Sequence, residues 1–210
     1  MKRTKLAFLA LTAVVFFAAP TQTSHAQLRQ IQLRVDGLAC PFCAYGLEKN
    51  VKAIKGVDKI KIDMDKGVVT LFPKEGESIP IDRLRKAVKD GGFTPRELNL
   101  VVAGQISTLA TLTDDKDAMK AIAEILKAAK DQGLKLPENP FVLKLENPNQ
   151  IFLLLKSPDK AHRKSFEQLS SLTDNHQAIV VTGTIPVPTK KKKMVSTALF
   201  VKSLNVENSG

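Results

Sequence analysis

The sequence predicts an α+β fold in two parts, a βαββαβ unit followed by a β-rich half. Three observations support this prediction. Before residue 37, apolar residues alternate with polar ones, which is the period of a strand with one buried face. Apolar residues then recur at helical spacing as far as Ile54. Beyond residue 140, short apolar segments follow one another with turn residues between them, which is typical of a β-rich domain.

The first strand and the first helix flank the only two cysteines of the 210-residue chain, Cys40 and Cys43. The strand residues that share a face are Ile31, Leu33 and Val35, and the helical stripe is Leu47, Val51 and Ile54. The cysteines therefore lie where a strand turns into a helix.

Two further strands, a helix and a fourth strand complete the first unit. Residues 57–64 and 68–72 are predicted strands joined by a hairpin turn at Asp65, Lys66 and Gly67, and Met64 is expected to share a face with Ile60 and Ile62. The next helix ends at Gly91 and Gly92. Its apolar residues are Ile81, Leu84 and Val88, and the fourth strand carries Leu98, Leu100 and Val102. This order is that of the ferredoxin-like fold, two helices on one face of a four-stranded antiparallel sheet.

The position of the cysteines favours thiolate chemistry. Unpaired N–H groups and the positive end of the dipole at a helix start both stabilise a thiolate, and Pro41 is tolerated there. Two thiolates at i and i+3 can bind one soft cation such as Cu(I) or Zn(II). The same residues are compatible with a redox dithiol or a structural disulfide. A disulfide between Cys40 and Cys43 would close a ring over very few residues, and such a ring gives little loop-entropy stabilisation.

The segment Gly37-Leu38-Ala39-Cys40-Pro41-Phe42-Cys43 resembles the Gly-Met-x-Cys-x-x-Cys loop of heavy-metal-associated domains. These domains occur in copper chaperones, metal-exporting ATPases and periplasmic mercury-binding proteins. The resemblance covers residues 29–104 and includes the hairpin at 57–72 and the loop Gly91-Gly92-Phe93. The chain departs from the pattern at Leu38, where methionine is usual, and at Pro41-Phe42, where a more polar pair is common.

The resemblance implies that Cys40 and Cys43 are the metal ligands and that Phe93 shields the bound ion from solvent. It implies a soft ion, Hg(II) or Cu(I), with Zn(II) or Cd(II) also possible, and a metal transporter or metal-acceptor protein as partner. Two protein ligands suit linear two-coordinate Hg(II) or Cu(I) better than a four-coordinate zinc site. The expected mechanism is capture and hand-over by thiol exchange.

A thiol-disulfide oxidoreductase is the alternative, because Cys-Pro-Phe-Cys is similar to the Cys-Pro-Tyr-Cys of glutaredoxins. Thioredoxin-type cores contain parallel βαβ crossovers, whereas the turn at residues 65–67 predicts an antiparallel hairpin. No Ser-His-Asp group, paired carboxylates or phosphate-binding glycine loop appears in the sequence, so the chain is not expected to be an enzyme.

Residues 1–26 are predicted to be a cleaved secretory signal peptide. Lys2, Arg3 and Lys5 precede an apolar run that ends at Ala19, and Ala26 is a small residue suited to the cleavage site. An uncleaved membrane anchor is the alternative, although the run is short for a span. The predicted location is periplasmic or secreted. The net charge of the chain is +11, and +8 remains once the three basic residues of the leader are removed, which permits peripheral contact with an anionic membrane.

The second part is predicted to be a domain at residues 105–206, after a metal-binding domain at 27–104. Predicted helices cover 114–130 and 158–173, and predicted strands cover 141–146, 151–156, 178–185 and 195–206. With the first of these helices set aside as an insertion, the order is β-β-β-α-β-β, that of an OB-fold barrel. The closing strands resemble the last hairpin of small OB-like domains of exported proteins.

Nucleic-acid binding is not expected, although lysines occupy positions 190–193. Single-strand binders combine such charge with exposed aromatic side chains, and the aromatic residues of this half fall in strand or helix patterns. They are Phe141, Phe152, Phe166 and Phe200. The histidines are also expected not to bind metal, because His25 lies in the leader and His162 and His176 are isolated.

Overall fold

The computed structural model describes residues 27–145, 150–173, 178–186 and 195–207. The first part contains β1 (Leu28–Asp36), α1 (Pro41–Lys52), β2 (Val57–Asp63), β3 (Val68–Pro73), α2 (Ile81–Asp90) and β4 (Thr94–Thr108). The second part contains α3 (Lys116–Asp131), β5 (Phe141–Leu145), β6 (Gln150–Leu155), α4 (Arg163–Glu167), β7 (Ala178–Thr184) and β8 (Ala198–Val206). The predicted leader with His25, His176 and the lysines at 190–193 lie outside the described residues.

The first part has the predicted βαββαβ order and ferredoxin-like topology. Its strands are arranged β2-β3-β1-β4, and all three pairings are antiparallel. Leu33 of β1 is paired with Val69 on one side and with Leu98 on the other. The predicted helix stripes are buried against one face of this sheet, with Leu47, Val51, Leu84 and Val88 almost fully enclosed.

The second part is a closed five-stranded barrel in which β4 takes part. The carboxy-terminal half of β4 is paired with both β5 and β7, and the circle closes in the order β4-β5-β6-β8-β7-β4. Only the pairing of β6 with β8 is parallel. α4 lies between β6 and β7 along the chain, so the β-β-β-α-β-β order expected from the sequence is present, with α3 as the extra helix.

The two parts share one continuous hydrophobic core. Leu98, Leu100 and Val102 project from the β4 face that α1 and α2 cover, and Val102 is paired with Val181 of the barrel. The same face of the sheet is therefore buried by helices at one end and by closure of the barrel at the other. The division predicted at residue 104 falls inside β4, and the assignment of two separate domains stays a prediction.

α3 covers the outer surface of the barrel. Apolar side chains of β5, β6 and β8 form a second buried cluster with Ala118, Ile122 and Ala129 of α3. The barrel residues of this cluster are Val142, Ile151, Leu153, Leu155 and Ala198. Because Phe152 and Leu154 belong to the main core, β6 is buried on both faces.

The structure differs from the sequence predictions at two places. Met64 was expected to share the core positions of the second strand, but its side chain is 41% exposed, because β2 ends at Asp63 and the turn begins there. The Asp63 carboxylate accepts a hydrogen bond from the backbone N–H of Lys66, which fixes that turn.

The helix predicted at 158–173 is instead a short α4 with a 3₁₀ turn on each side. The hydroxyls of Ser170, Ser171 and Thr173 each donate to the carbonyl three residues earlier. Such local bonds compete with a regular α-helix. No helix within the described ranges has both the length and the hydropathy needed to cross a bilayer.

Candidate metal centre

The start of α1 places both cysteines in one helical turn. Cys40 is the N-cap residue with extended backbone angles, φ −135° and ψ 134°, and Pro41 occupies the first helical position. The Sγ of Cys40 accepts a hydrogen bond from the backbone N–H of Cys43 at 3.4 Å. Sulfur therefore fills the capping position that an oxygen usually occupies, and the helix dipole favours negative charge on it.

The base of the cysteine loop is fixed to the sheet. Gly37 has φ +94°, and Leu38 is buried in the main core. The Nε of Arg96 donates to the Asp36 carboxylate at 2.6 Å, which joins β1 to β4 just before the loop. On the other side, the backbone N–H of Val35 donates to the Gly67 carbonyl at 2.7 Å. The loop is thus held from both neighbouring strands.

Phe93 lies against this loop, as the sequence suggested. α2 ends in a Schellman motif in which Phe93 N–H donates to the Val88 carbonyl and Gly92 N–H to the Lys89 carbonyl. The ring packs on the main core, and a β-carbon on Gly37 would lie 3.6 Å from Phe93 Cδ1. That Phe93 shields a bound ion stays a prediction.

The two thiols have different acidities. The hydrogen bond with the Cys43 side chain, followed by the Cys43 backbone N–H, lowers the pKa of Cys40 below the ordinary thiol value. The same side-chain hydrogen bond raises the pKa of Cys43, with burial and the nearby Cys40 charge acting in the same direction. The first proton therefore leaves from Cys40, and Cys43 retains its proton as the donor.

The described structure offers an open site with two sulfur donors. Both cysteines are free thiols, Cys40 partly accessible and Cys43 exposed. No group of three or more His, Cys, Asp or Glu side chains suited to a metal occurs within the described ranges. The Nδ1 atom of His162 lies 3.5 Å from an oxygen of the Asp159 carboxylate, far along the chain from the cysteines.

Sequence reasoning missed the surface beside the thiols. Phe42 and Tyr45 lie one turn apart on α1 and are both exposed, and Gly46 follows them. The available signal was their helical position away from Leu47 and Val51, which form the buried stripe of the same helix.

The fold and the thiol pair define a small α+β module with an open two-sulfur site. Residues 32–94 match the family model of the heavy-metal-associated domain, so this part of the chain is a heavy-metal-associated domain.

Several solved structures are similar to about a third of the chain. The CopZ metallochaperone is 22% identical and covers 32% of this chain and 98% of its own, with a TM-score of 0.30. The yeast copper transporter domain Ccc2a, in apo and Cu(I)-loaded states, is 24% identical over 32% of this chain and 92% of its own, with a TM-score of 0.30. Oxidized MerP from Ralstonia metallidurans CH34 is 20% identical over 33% of this chain and 94% of its own, also with a TM-score of 0.30. No curated protein matches the sequence.

Proposed function

We propose that this chain is an exported protein that captures a soft metal ion between Cys40 and Cys43 and hands it to a partner. The single observation that carries the proposal is the pair of free thiols at the start of α1, within a heavy-metal-associated domain. The signal-peptide pattern of residues 1–26 supports export to the periplasm or beyond. The proposed function is binding and transfer without catalysis.

The donor set favours Cu(I) or Hg(II) as the ion carried. Thiolates select soft cations, and two sulfur atoms complete a linear coordination shell. Zn(II) or Cd(II) would need further ligands that the described residues do not supply in one place. The lowered pKa of Cys40 supports metal binding, because the ligand that binds first must be a thiolate.

Hand-over follows from the openness of the site. A thiolate of the acceptor attacks the ion, a new metal–sulfur bond forms, and one bond to Cys40 or Cys43 breaks. A second acceptor thiolate displaces the remaining cysteine, and each released sulfur regains a proton from water. The exposed Cys43 is the sulfur that an acceptor can replace first. A metal transporter or a soluble metal-acceptor protein is the proposed partner.

The test is a Cu(I) titration of the reduced protein in competition with a chromogenic chelator. We expect one ion per chain, and we expect Cys40→Ala or Cys43→Ala to abolish tight binding. Met64→Ala is a matched control, because it removes the exposed sulfur of the hairpin at residues 64–67, which is not a proposed ligand. Failure of the unsubstituted protein to compete with the chelator would refute the proposal.

A thiol-disulfide oxidoreductase is the second candidate, and one observation favours it. The opposite pKa shifts of Cys40 and Cys43 would suit a dithiol in which one thiolate attacks a disulfide and the other thiol resolves the mixed intermediate. The antiparallel β2–β3 hairpin and the heavy-metal-associated sequence support metal binding instead. Catalytic reduction of insulin by the protein would favour the second candidate.

The barrel is proposed to be OB-like, with its usual ligand surface covered by α3. OB-folds bind oligonucleotides and oligosaccharides on the face of their second and third strands. Here those strands are β5 and β6, and their outer side chains are buried under α3. The covered face agrees with a barrel that supports the metal-binding part and does not bind nucleic acid.

A further inference from the structure

One face of the sheet stays in solvent. Leu33 and Leu98 lie in the core beneath α1 and α2, so the residues that alternate with them lie on the opposite face. The strand register aligns five residues of that face across β2, β3, β1, β4 and β7, a distance of roughly 19 Å at the usual strand spacing. They are Lys61, Thr70, Gln32, Asn99 and Thr184, and we call them the polar row.

The polar row contains hydrogen-bonding groups that the fold does not use. The side chains of Lys61, Thr70 and Gln32 make no hydrogen bond or ion pair within the described ranges, and Lys61 and Gln32 are exposed. Asn99 Oδ1 accepts a hydrogen bond from the Thr184 hydroxyl at 2.7 Å, which leaves the amide N–H groups of Asn99 as donors. The row therefore presents hydroxyl and amide groups along its length and an ammonium group at one end.

A cleft of about 330 Å³ opens beside the polar row. It is lined by Arg34, Asp36, Arg96 and Glu97. Both carboxylates of the cleft already have a cationic partner, Asp36 in Arg96 at 2.6 Å and Glu97 in Lys202 at 2.8 Å. Arg34 is exposed, has no ion pair in the part of the chain that the structure describes, and lies two residues from Gln32 on the same face of β1. Because a guanidinium group can bind a carboxylate through two parallel hydrogen bonds, the cleft is suited to one further carboxylate.

The second unpaired cation of this face is held in position. Lys61 Nζ lies 5.6 Å from the centre of the Phe72 ring, a cation–π contact with the neighbouring strand. Lys61 belongs to β2, whereas Arg34 belongs to β1, and β3 lies between these strands. Two fixed positive charges are thus separated by the uncharged side chains of Thr70 and Gln32.

We infer that this face binds an acidic polysaccharide, a polymer that carries both hydroxyl groups and carboxylates. The hydroxyl and amide groups of the polar row are complementary to the polymer hydroxyls, and Lys61 and Arg34 are complementary to its carboxylates. The inference does not depend on metal binding. The predicted export of this basic chain would bring it into contact with such polymers.

Other occupants match the face less well. The centre of a protein–protein interface is usually apolar, whereas the centre of this face is Thr70 and Gln32. A second copy of the chain would bring like charges together. An anionic membrane would attract Lys61 and Arg34, but it gives no reason for the row of uncharged hydrogen-bonding groups between the strand edges.

The test measures the affinity of the protein for labelled alginate oligomers by fluorescence anisotropy in calcium-free buffer. Alginate is a polyuronate, and two further polymers separate its two kinds of group: dextran has hydroxyls without carboxylates, and poly-L-glutamate has carboxylates without hydroxyls. We expect binding to alginate, weaker binding to poly-L-glutamate and no binding to dextran. Absence of alginate binding, or equal affinity for alginate and poly-L-glutamate, would overturn the inference.

Substitutions on the face test which residues bind the polymer. Lys61→Gln and Arg34→Gln should each weaken alginate binding about tenfold, because each removes a hydrogen bond to a charged group. Gln32→Ala should weaken it about threefold, the effect of one neutral hydrogen bond, and should leave binding to poly-L-glutamate unchanged. All three positions are exposed, and an unchanged far-ultraviolet circular dichroism spectrum verifies the fold.

Lys49→Gln is the matched control, because it removes the same charge from α1, on the helix side of the sheet. It should leave alginate binding unchanged, as should the Cys40→Ala, Cys43→Ala double variant. A loss in Lys49→Gln equal to that in Arg34→Gln would mean that net charge alone attracts the polymer, and the inference would be wrong. Binding to phosphatidylglycerol vesicles, weakened by Arg34→Gln, without binding to alginate would assign the face to a membrane instead.

Discussion

At Cys40, two hydrogen bonds act on one sulfur atom. The sulfur caps α1 by accepting the backbone N–H of Cys43, and it shares a side-chain hydrogen bond with the Cys43 thiol. Each of these stabilises the thiolate relative to the thiol, and the contact with Cys43 has the largest effect on the pKa. The asymmetry between the two thiols is therefore a property of the pair and not of either cysteine alone.

Cys43→Ala should raise the pKa of Cys40 towards the ordinary thiol value, because the substitution removes the largest stabilising contact and keeps the backbone N–H. Conversely, Cys40→Ala should lower the pKa of Cys43, since the partner that raises it is gone. Thiolate absorbance in the ultraviolet, followed against pH, measures both values. A Cys40 pKa that stays the same in Cys43→Ala would show that the helix start alone sets it.

At the scale of single elements, glycine has opposite roles in α1 and in the β2–β3 turn. Gly46 lies in a helix with open space around it, whereas Gly67 has φ +60° and its missing β-carbon would lie 2.8 Å from the Val35 carbonyl oxygen. At residue 46, the absence of a side chain only lowers the stability of the helix. At residue 67, glycine is required both for the backbone angle and for the close approach of β1.

Gly46→Ala should therefore raise the free energy of unfolding by about 0.5–1 kcal/mol, the usual difference between glycine and alanine in a helix. Gly67→Ala should lower it by at least about 1–2 kcal/mol, because the left-handed conformation alone costs that much for a residue with a β-carbon and the Val35 carbonyl must also move. Denaturant unfolding curves measure both changes. Destabilisation by Gly46→Ala would indicate that the surroundings of α1 are not open.

Most elements could be predicted from local patterns, and the failures share a physical cause. The Leu47 and Val51 stripe and the Gly67 turn depend on residues close in sequence, so periodicity and turn chemistry were sufficient. The exposure of Met64 depends on where Asp63 ends its strand through a side-chain bond, which no periodicity shows. Likewise, the exposure of Phe42 and Tyr45 could not be recognised until the packing of α1 showed which of its sides stays in solvent.

In the whole molecule, β4 joins the two parts that were predicted from the sequence as separate domains. The strand pairs with β1 over one stretch and with β7 and β5 over another. Side-chain hydrogen bonds also join β4 to β7 and β8. Lys202 of β8 donates to Glu97 and Asn99 of β4, and Thr184 of β7 donates to Asn99. The ion pair with Lys202 lowers the pKa of Glu97. Pairings this distant in sequence give no local signal, so the junction could not be predicted.

A shared core predicts that the protein unfolds as one cooperative unit. Leu199→Ala removes a fully buried side chain of the barrel and should cost about 2–5 kcal/mol. Because the core is continuous, the loss should also lower the unfolding midpoint reported by Tyr45, the only tyrosine in a chain without tryptophan. Tyrosine fluorescence and far-ultraviolet circular dichroism should give coincident transitions. A midpoint at Tyr45 that does not move would mean that the two parts fold independently.

X-ray absorption spectroscopy of the Cu(I)-loaded protein decides whether two sulfur atoms of one helical turn hold the ion. We expect a first coordination shell of two sulfur atoms from Cys40 and Cys43, and loss of that shell in the Cys40→Ala, Cys43→Ala double variant. A shell dominated by nitrogen or oxygen, or one that the double variant retains, would contradict it.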